Sequence, residues 1–164
     1  MLFRSAVEVA RALAASLTAV DVERVNAHGL RLGATTARGP AYLLEGHEAP
    51  GEVVRRARRD AAQLEARLEH EQLAVAGRTA VVVDDGAITG LTLCAACRWA
   101  RAESAERVVA ATPVAHVRGL ARIRDEADEI VCPHALDEIA VVGQAYDSFD
   151  PLDEWYVASL LASQ

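Results

Sequence analysis

The sequence predicts an α/β fold in which a central parallel sheet of four or five strands carries helices on its faces. Three observations lead there. Short, almost wholly apolar runs lie at 79–83, 108–111 and 130–132, a pattern that fits strands buried on both faces. Helix-patterned stretches at 91–103 and 115–125 separate these runs, so the connections are right-handed crossovers between parallel strands. The first run also opens into a glycine-bearing loop, and in such sheets ligands bind beyond the carboxyl ends of the strands. The 164 residues suit one domain spanning 1–164.

In order along the chain, residues 3–16 read as a helix, because Ala6, Val9, Ala10, Leu13 and Leu17 recur at steps of three and four. Residues 18–25 read as a strand with β-branched Val20, Val22 and Val25, closed by the turn signal Asn26-Ala27-His28-Gly29. Residues 30–45 suggest a short hairpin interrupted at Arg38-Gly39-Pro40. Residues 50–72 form an amphipathic helix with Pro50 in its first turn. Its apolar stripe packs on the core and its arginines face solvent, or else an anion or partner subunit. After the strands and helices named above, residues 139–149 form a mixed strand or loop around Gly143. A closing helix spans 151–163, capped by Asp150.

Composition sets limits on function. Hydrophobic residues make up 52% and aromatic residues 4%, so Val, Leu, Ile and Ala fill the core. All 17 basic residues are arginine, which excludes any mechanism that needs a lysine. The net charge of -7 argues against nucleic-acid partners, which call for excess positive charge. The three cysteines and the lack of a leader pattern predict a reducing, cytoplasmic location. No apolar run approaches the roughly 20 residues that span a bilayer.

The segment Asp84-Asp85-Gly86-Ala87-Ile88-Thr89-Gly90-Leu91-Thr92 leaves a buried strand and enters a helix. Amides at a helix N-terminus point outward unsatisfied, and the helix dipole favours an anion there. Gly86 and Gly90 allow close approach of the backbone to a phosphate, and Thr89 and Thr92 add hydroxyls. Adjacent carboxylates repel each other and need a partner. A vicinal diol is suitable, since ionised carboxylates accept hydrogen bonds and cannot donate. A phosphate next to a diol describes a ribose 5-phosphate. A Walker A loop would need a lysine, and the Gly-x-Gly-x-x-Gly of a dinucleotide fold is missing.

This stretch resembles the phosphoribosyl-diphosphate (PRPP) loop of type I phosphoribosyltransferases: an apolar strand, two acids, then a loop ending Thr-Gly-x-Thr. The resemblance implies that Asp84 and Asp85 hold the ribose hydroxyls and that Gly86 to Thr92, including Ala87, Ile88 and Leu91, wrap the 5′-phosphate. It runs from about residue 5 to 160. Helix 6–13, the segment 107–115 and the segments 128–132 and 142–149 match a bacterial and archaeal subgroup in order.

The chain departs from the pattern in three places. The family's first strand and diphosphate loop would lie before residue 5, so either the start lies upstream or the chain is a shortened paralogue. Residues 18–25 and 79–83 then either pair directly or leave a gap for another subunit. The family's basic pair is replaced by Glu23-Arg24-Val25, leaving Arg24 as the candidate diphosphate ligand. Ala87-Ile88 reverses the usual apolar order. The resemblance implies PRPP or a nucleoside monophosphate as ligand, Mg2+ carried with it, and a homodimer. Two functions remain open: phosphoribosyl transfer to an acceptor such as a nucleobase, and binding without turnover as a sensor or partner subunit.

Other constellations are weaker. Cys94-x-x-Cys97 with Cys132 and His134 has the makings of a zinc site, but core positions explain these cysteines better. His116 lines the site or, more simply, caps a helix. Trp99 and Trp155 read as packing residues. The resemblance to type I enzymes, where this region holds the acceptor base, implies that role for Asp137 or Tyr146.

Overall fold

The structure, a computed structural model, describes residues 2–67 and 74–149. The predicted helix at 151–163 and the last turn of the predicted 50–72 helix lie outside the described residues.

Helix α1 (Leu2–Leu13) opens the chain. Strands β1 (Val22–Ala27) and β2 (Leu30–Thr36) form a hairpin, and β3 (Tyr42–Leu43) adds to β2; all three are antiparallel. The hairpin turn is His28 and Gly29, both at positive φ (52° and 76°), the conformation that matches the twist of tightly joined strands. Helix α2 (Gly51–Arg67) packs on β1 and β2 through buried Ala57 and Ala61. Its Arg58 donates to the Gly39 carbonyl at 2.8 Å, so one of the predicted solvent arginines is a tie between elements.

The second sheet is the predicted parallel one. Strand β4 (Thr79–Val83) pairs with β5 (Arg107–Ala111), and β5 with β7 (Glu129–Val131), all parallel. Helix α3 (Leu91–Ala102) joins β4 to β5, and α4 (Val117–Ile123) lies between β5 and β7. Among the described residues this sheet has three strands, fewer than the four or five expected. Two short strands, β6 (Val114–His116) and β8 (His134–Leu136), pair parallel to each other as a separate sheet. The predicted strand at 18–25 begins only at Val22 and does not pair with β4. Residues 14–21 instead run alongside β4 across a cavity of about 600 Å³.

The core forms around α3. Leu93, Cys94, Cys97 and Ala100 on this helix meet Val108, Ala110 and Ile123, and each of these is at most 1% exposed. One face of α3 therefore packs on the parallel sheet. Another, through Leu91 and Ala95, packs on Ala34 of the antiparallel sheet, so α3 fixes the two sheets relative to each other. Arg98 secures the arrangement. It makes paired bonds of 2.9 and 2.7 Å to the Glu126 carboxylate, reaches the Ala41 carbonyl, and stacks 4.7 Å above the Tyr42 ring. The paired geometry and partial burial make this stronger than an exposed ion pair.

Among the described residues no helix is long and apolar enough to cross a membrane. Leu93→Ala should cost about 2–5 kcal/mol, because α3 is gripped on several sides and cannot collapse onto the hole. Leu136→Ala, at a residue 38% exposed, should stay within about 0.5 kcal/mol. Urea unfolding of both variants checks the contrast, and equal losses would mean that α3 is not the centre of the core.

Candidate functional site

The loop 84–90 crosses from the carboxyl end of β4 to the start of α3. It is held at three points. The Asp84 amide donates to the Ala111 carbonyl at 3.0 Å, extending the β4–β5 ladder. Ala87 bridges to β6: its amide donates to the Val114 carbonyl, and its own carbonyl accepts from the His116 amide, both at 3.0 Å. Gly90 then turns the chain at φ 75° and caps α3 without any side-chain bond.

Two glycines let the loop meet α4. A Cβ on Gly119 would lie 2.6 Å from the Ala87 carbonyl oxygen and 2.9 Å from that of Ile88. A Cβ on Gly90 would lie 2.7 Å from the Gly119 carbonyl. Backbone stands on both sides, so neither contact can relax by a rotamer change. Arg122, one turn further along α4, donates to the Thr89 carbonyl at 3.1 Å. Gly86 is confined from the other side, where a Cβ would collide with the methyls of Val142.

The two acids occupy different environments. Asp84 is 9% exposed, and its carboxylate accepts the Asp85 amide at 2.9 Å. Burial, followed by the charge of Asp85, pushes its carboxyl up to about 7. Asp85 is half-buried, and its carbonyl accepts a 2.5 Å hydrogen bond from the Tyr146 hydroxyl. Burial and then the two aspartates push the Tyr146 phenol upward, so it remains a donor. Its ring packs 5.4 Å from that of Phe149.

Of the residues singled out from sequence, Asp84 to Thr92 lie together on one continuous turn of chain. Their parts in it differ. Ala87 and Leu91 are buried at 3%, and the Ala87 amide is already engaged, so Ala87 supports the loop. Asp85, Ile88 and Thr89 are half-buried, and Thr92 is exposed on the first turn of α3, where helix amides lack partners. Arg24 stands on the other sheet. It is exposed and sits opposite Ala34 in the β1–β2 ladder, on the sheet that meets Leu91 at the start of α3.

His116 caps α4, its Nδ1 accepting the Arg118 amide at 3.0 Å. Cys94 and Cys97 are fully buried, and burial pushes both thiols up to about 12, which suits core residues rather than thiolate ligands. Asp137 is exposed beyond β8. Sequence reasoning missed Gly119, Arg122 and Val142. Only the tertiary contacts identify them, since nothing local distinguishes a glycine inside Val117–Ile123.

Two outcomes follow from this geometry. Gly119→Ala should destabilise the chain by about 1–3 kcal/mol through overpacking against backbone, seen as a lowered Tm. Asp84 carries a folded-state pKa above its unfolded value, so its contribution to stability is complete below about 4 and falls as pH rises toward about 7. Wild type should lose on the order of a few kcal/mol over that window, and Asp84→Asn should lose much less. Parallel pH–Tm curves for the two proteins would contradict the burial of this carboxyl.

The chain matches the phosphoribosyl transferase domain family over residues 3–148. It is 40% identical over 91 residues to a Mycobacterium tuberculosis protein, in strains CDC 1551 and H37Rv, that is provisionally named a phosphoribosyl transferase. The match covers 56% of this chain and 20% of that protein, so the chain spans about a fifth of the length of these curated relatives. The crystal structure of TT1426 from Thermus thermophilus superposes with a TM-score of 0.80 at 30% identity, covering 96% of this chain and 80% of that one. With the matched family spanning nearly the whole chain and a loop of two acids running into a helix start, this protein belongs to the phosphoribosyl transferase domain family.

Proposed function

We propose that the chain binds PRPP or a nucleoside 5′-monophosphate at the loop 84–92 and transfers the phosphoribosyl group to an acceptor, with release of diphosphate. The observation that carries this reading is the pairing of Asp84 and Asp85 with the open first turn of α3 across one rigid loop. The amides of Ile88 to Thr92 and the hydroxyls of Thr89 and Thr92 grip the 5′-phosphate. Asp84 and Asp85 accept hydrogen bonds from the ribose 2′ and 3′ hydroxyls. Asp84 must ionise to accept fully, and hydroxyl donors favour that charged form.

Arg24, exposed on β1, is the candidate cation for the diphosphate. In the transfer, the bond from the ribose C1 carbon to diphosphate breaks and a bond to the acceptor forms. Negative charge collects on the departing diphosphate, where a guanidinium would lower the barrier. The residues present suit magnesium bound through the ligand: the Asp85 carboxylate lies beside that of Asp84 at the start of the loop, and the two would hold a cation carried with the ligand. Magnesium would supply charge neutralisation on the leaving group. The acceptor is a nucleobase in this reading, with Tyr146 and the 142–149 segment bordering its place. We place the protein in the cytoplasm as a homodimer.

A second reading, binding without turnover as a sensor or partner subunit, is favoured by the hairpin at β1 and β2. Its two-residue turn at His28 and Gly29 leaves no long basic loop to cover a diphosphate.

Titration calorimetry should show PRPP binding in the presence of magnesium. Asp85→Asn should weaken that binding by about tenfold or more, equivalent to about 1.4 kcal/mol, with little change in Tm. Unchanged PRPP and nucleotide affinity in this variant would remove the proposal. A diphosphate-release assay over a panel of bases then separates the two readings, with release supporting transfer and binding alone supporting the sensor.

A further inference from the structure

The hairpin of β1 and β2 carries an inference about how the diphosphate end of the ligand is held. Its ladder keeps one register from Val22 opposite Thr36 to Val25 opposite Gly33, then slips by one residue, so that Asn26 faces Arg31. In an unbroken ladder Asn26 would face Leu32, and Arg31 would face Ala27. Residues directly opposite each other share a face of the sheet, and faces alternate along a strand. Arg24 and Asn26 therefore share a face, and the extra residue on β2 brings Arg31 onto it. Bulges turn side chains in this way.

That shared face is the one that meets the helix start at the end of the loop. Ala34, opposite Arg24, packs on Leu91 and Ala95, and Val22, two residues before Arg24, packs on the same cluster. Leu91 is the first residue of α3. Arg24 and Arg31 are diagonal neighbours across the ladder, a separation of about 7–8 Å that long side chains span. They feel each other: loss of solvent contact, followed by the charge of Arg24, lowers the pKa of the Arg31 guanidinium. Like charges at neighbouring sheet positions are unfavourable, and the chain is not short of acids, with 24 against 17 arginines. Among the described residues, however, neither Arg24 nor Arg31 has an ion pair. Glu23, next to Arg24 in the chain, falls on the opposite face. A multiply charged anion relieves such a pair, because each guanidinium can donate to it.

We infer that Arg31 is a second diphosphate-binding residue and forms with Arg24 a two-guanidinium clamp on this face of the hairpin. The identity of the anion rests on the reading of the loop 84–92 as a PRPP site: the loop takes the 5′-phosphate, and the diphosphate is the other charged group of that ligand. The positive charge missing at Glu23 is thereby restored from the neighbouring strand, through the bulge.

Titration calorimetry with three probes tests the clamp, each in the presence of magnesium: PRPP, inorganic diphosphate, and ribose 5-phosphate, which lacks the diphosphate. Arg31→Gln should weaken PRPP and diphosphate by about tenfold or more and leave ribose 5-phosphate unchanged. Arg59→Gln removes an exposed arginine of α2 and should change none of the three, which controls for net charge. The Tm of Arg31→Gln should not fall, since one of two like charges is gone, whereas a purely structural arginine would lower it. The inference is overturned if wild type binds no diphosphate, if Arg31→Gln leaves diphosphate affinity unchanged or weakens ribose 5-phosphate equally, or if Arg59→Gln matches its loss. Ribose 5-phosphate binding that depends on Asp85, with no effect at Arg31, sinks the clamp and spares the loop. Diphosphate binding that depends on Arg31, without ribose 5-phosphate binding, does the opposite.

Discussion

The contact between Gly90 and Gly119 holds the site together. Main chain meets main chain there at a distance no side chain permits, and the start of α3 rests on α4 with nothing between them. Because α3 also carries the core and the contact with Ala34, the position of its first turn is set by the whole molecule. A loop anchored in this way meets an anion with its amides already aligned, so little ordering remains to be done on binding. Arg122 adds to this without touching the open face. By bonding the Thr89 carbonyl, it satisfies a main-chain acceptor of the loop just before the start of α3.

The acidic pair shows the same dependence on surroundings. Two adjacent aspartates on a flexible loop would both ionise and separate. Here Asp84 is enclosed by the sheet end, and Asp85 is held by Tyr146 through its own carbonyl, leaving the Asp85 side chain available. The two acids thus divide into a buried one that resists ionisation and a half-buried one anchored through its main chain. Their electrostatic roles differ even though the sequence presents two identical letters.

That difference marks what could be read in advance. The strand at 79–83, the loop and helix α3 were legible because each rests on a local signal: a β-branched apolar run, glycines at a turn, and helical periodicity. The hairpin turn was legible for the same reason at His28 and Gly29. The short strands β6 and β8 were not, since three residues carry no periodicity, and they form where they pair with each other and with Ala87 and Pro113. The strand expected over 18–25 was misplaced at its start because β-branched residues mark an extended chain without saying whether it has a neighbour. Residues 14–21 face the cavity, and the ladder begins only where β2 is available at Val22. The division of labour within 84–92 was also invisible, because the engagement of the Ala87 amide depends on Val114, far along the chain.

Strand β4 and the loop are parts of one mechanical unit. Among the described residues β4 pairs with β5 in a parallel ladder, and its last residue, Val83, leads directly into Asp84. The Asp84 amide carries that ladder one step further by donating to the Ala111 carbonyl, so the buried carboxyl sits where the strand's hydrogen bonding ends. The geometry of the acidic pair therefore depends on the β4–β5 ladder as well as on the Gly90–Gly119 contact. The helix side of the loop is fixed by close packing, and the strand side by main-chain hydrogen bonds.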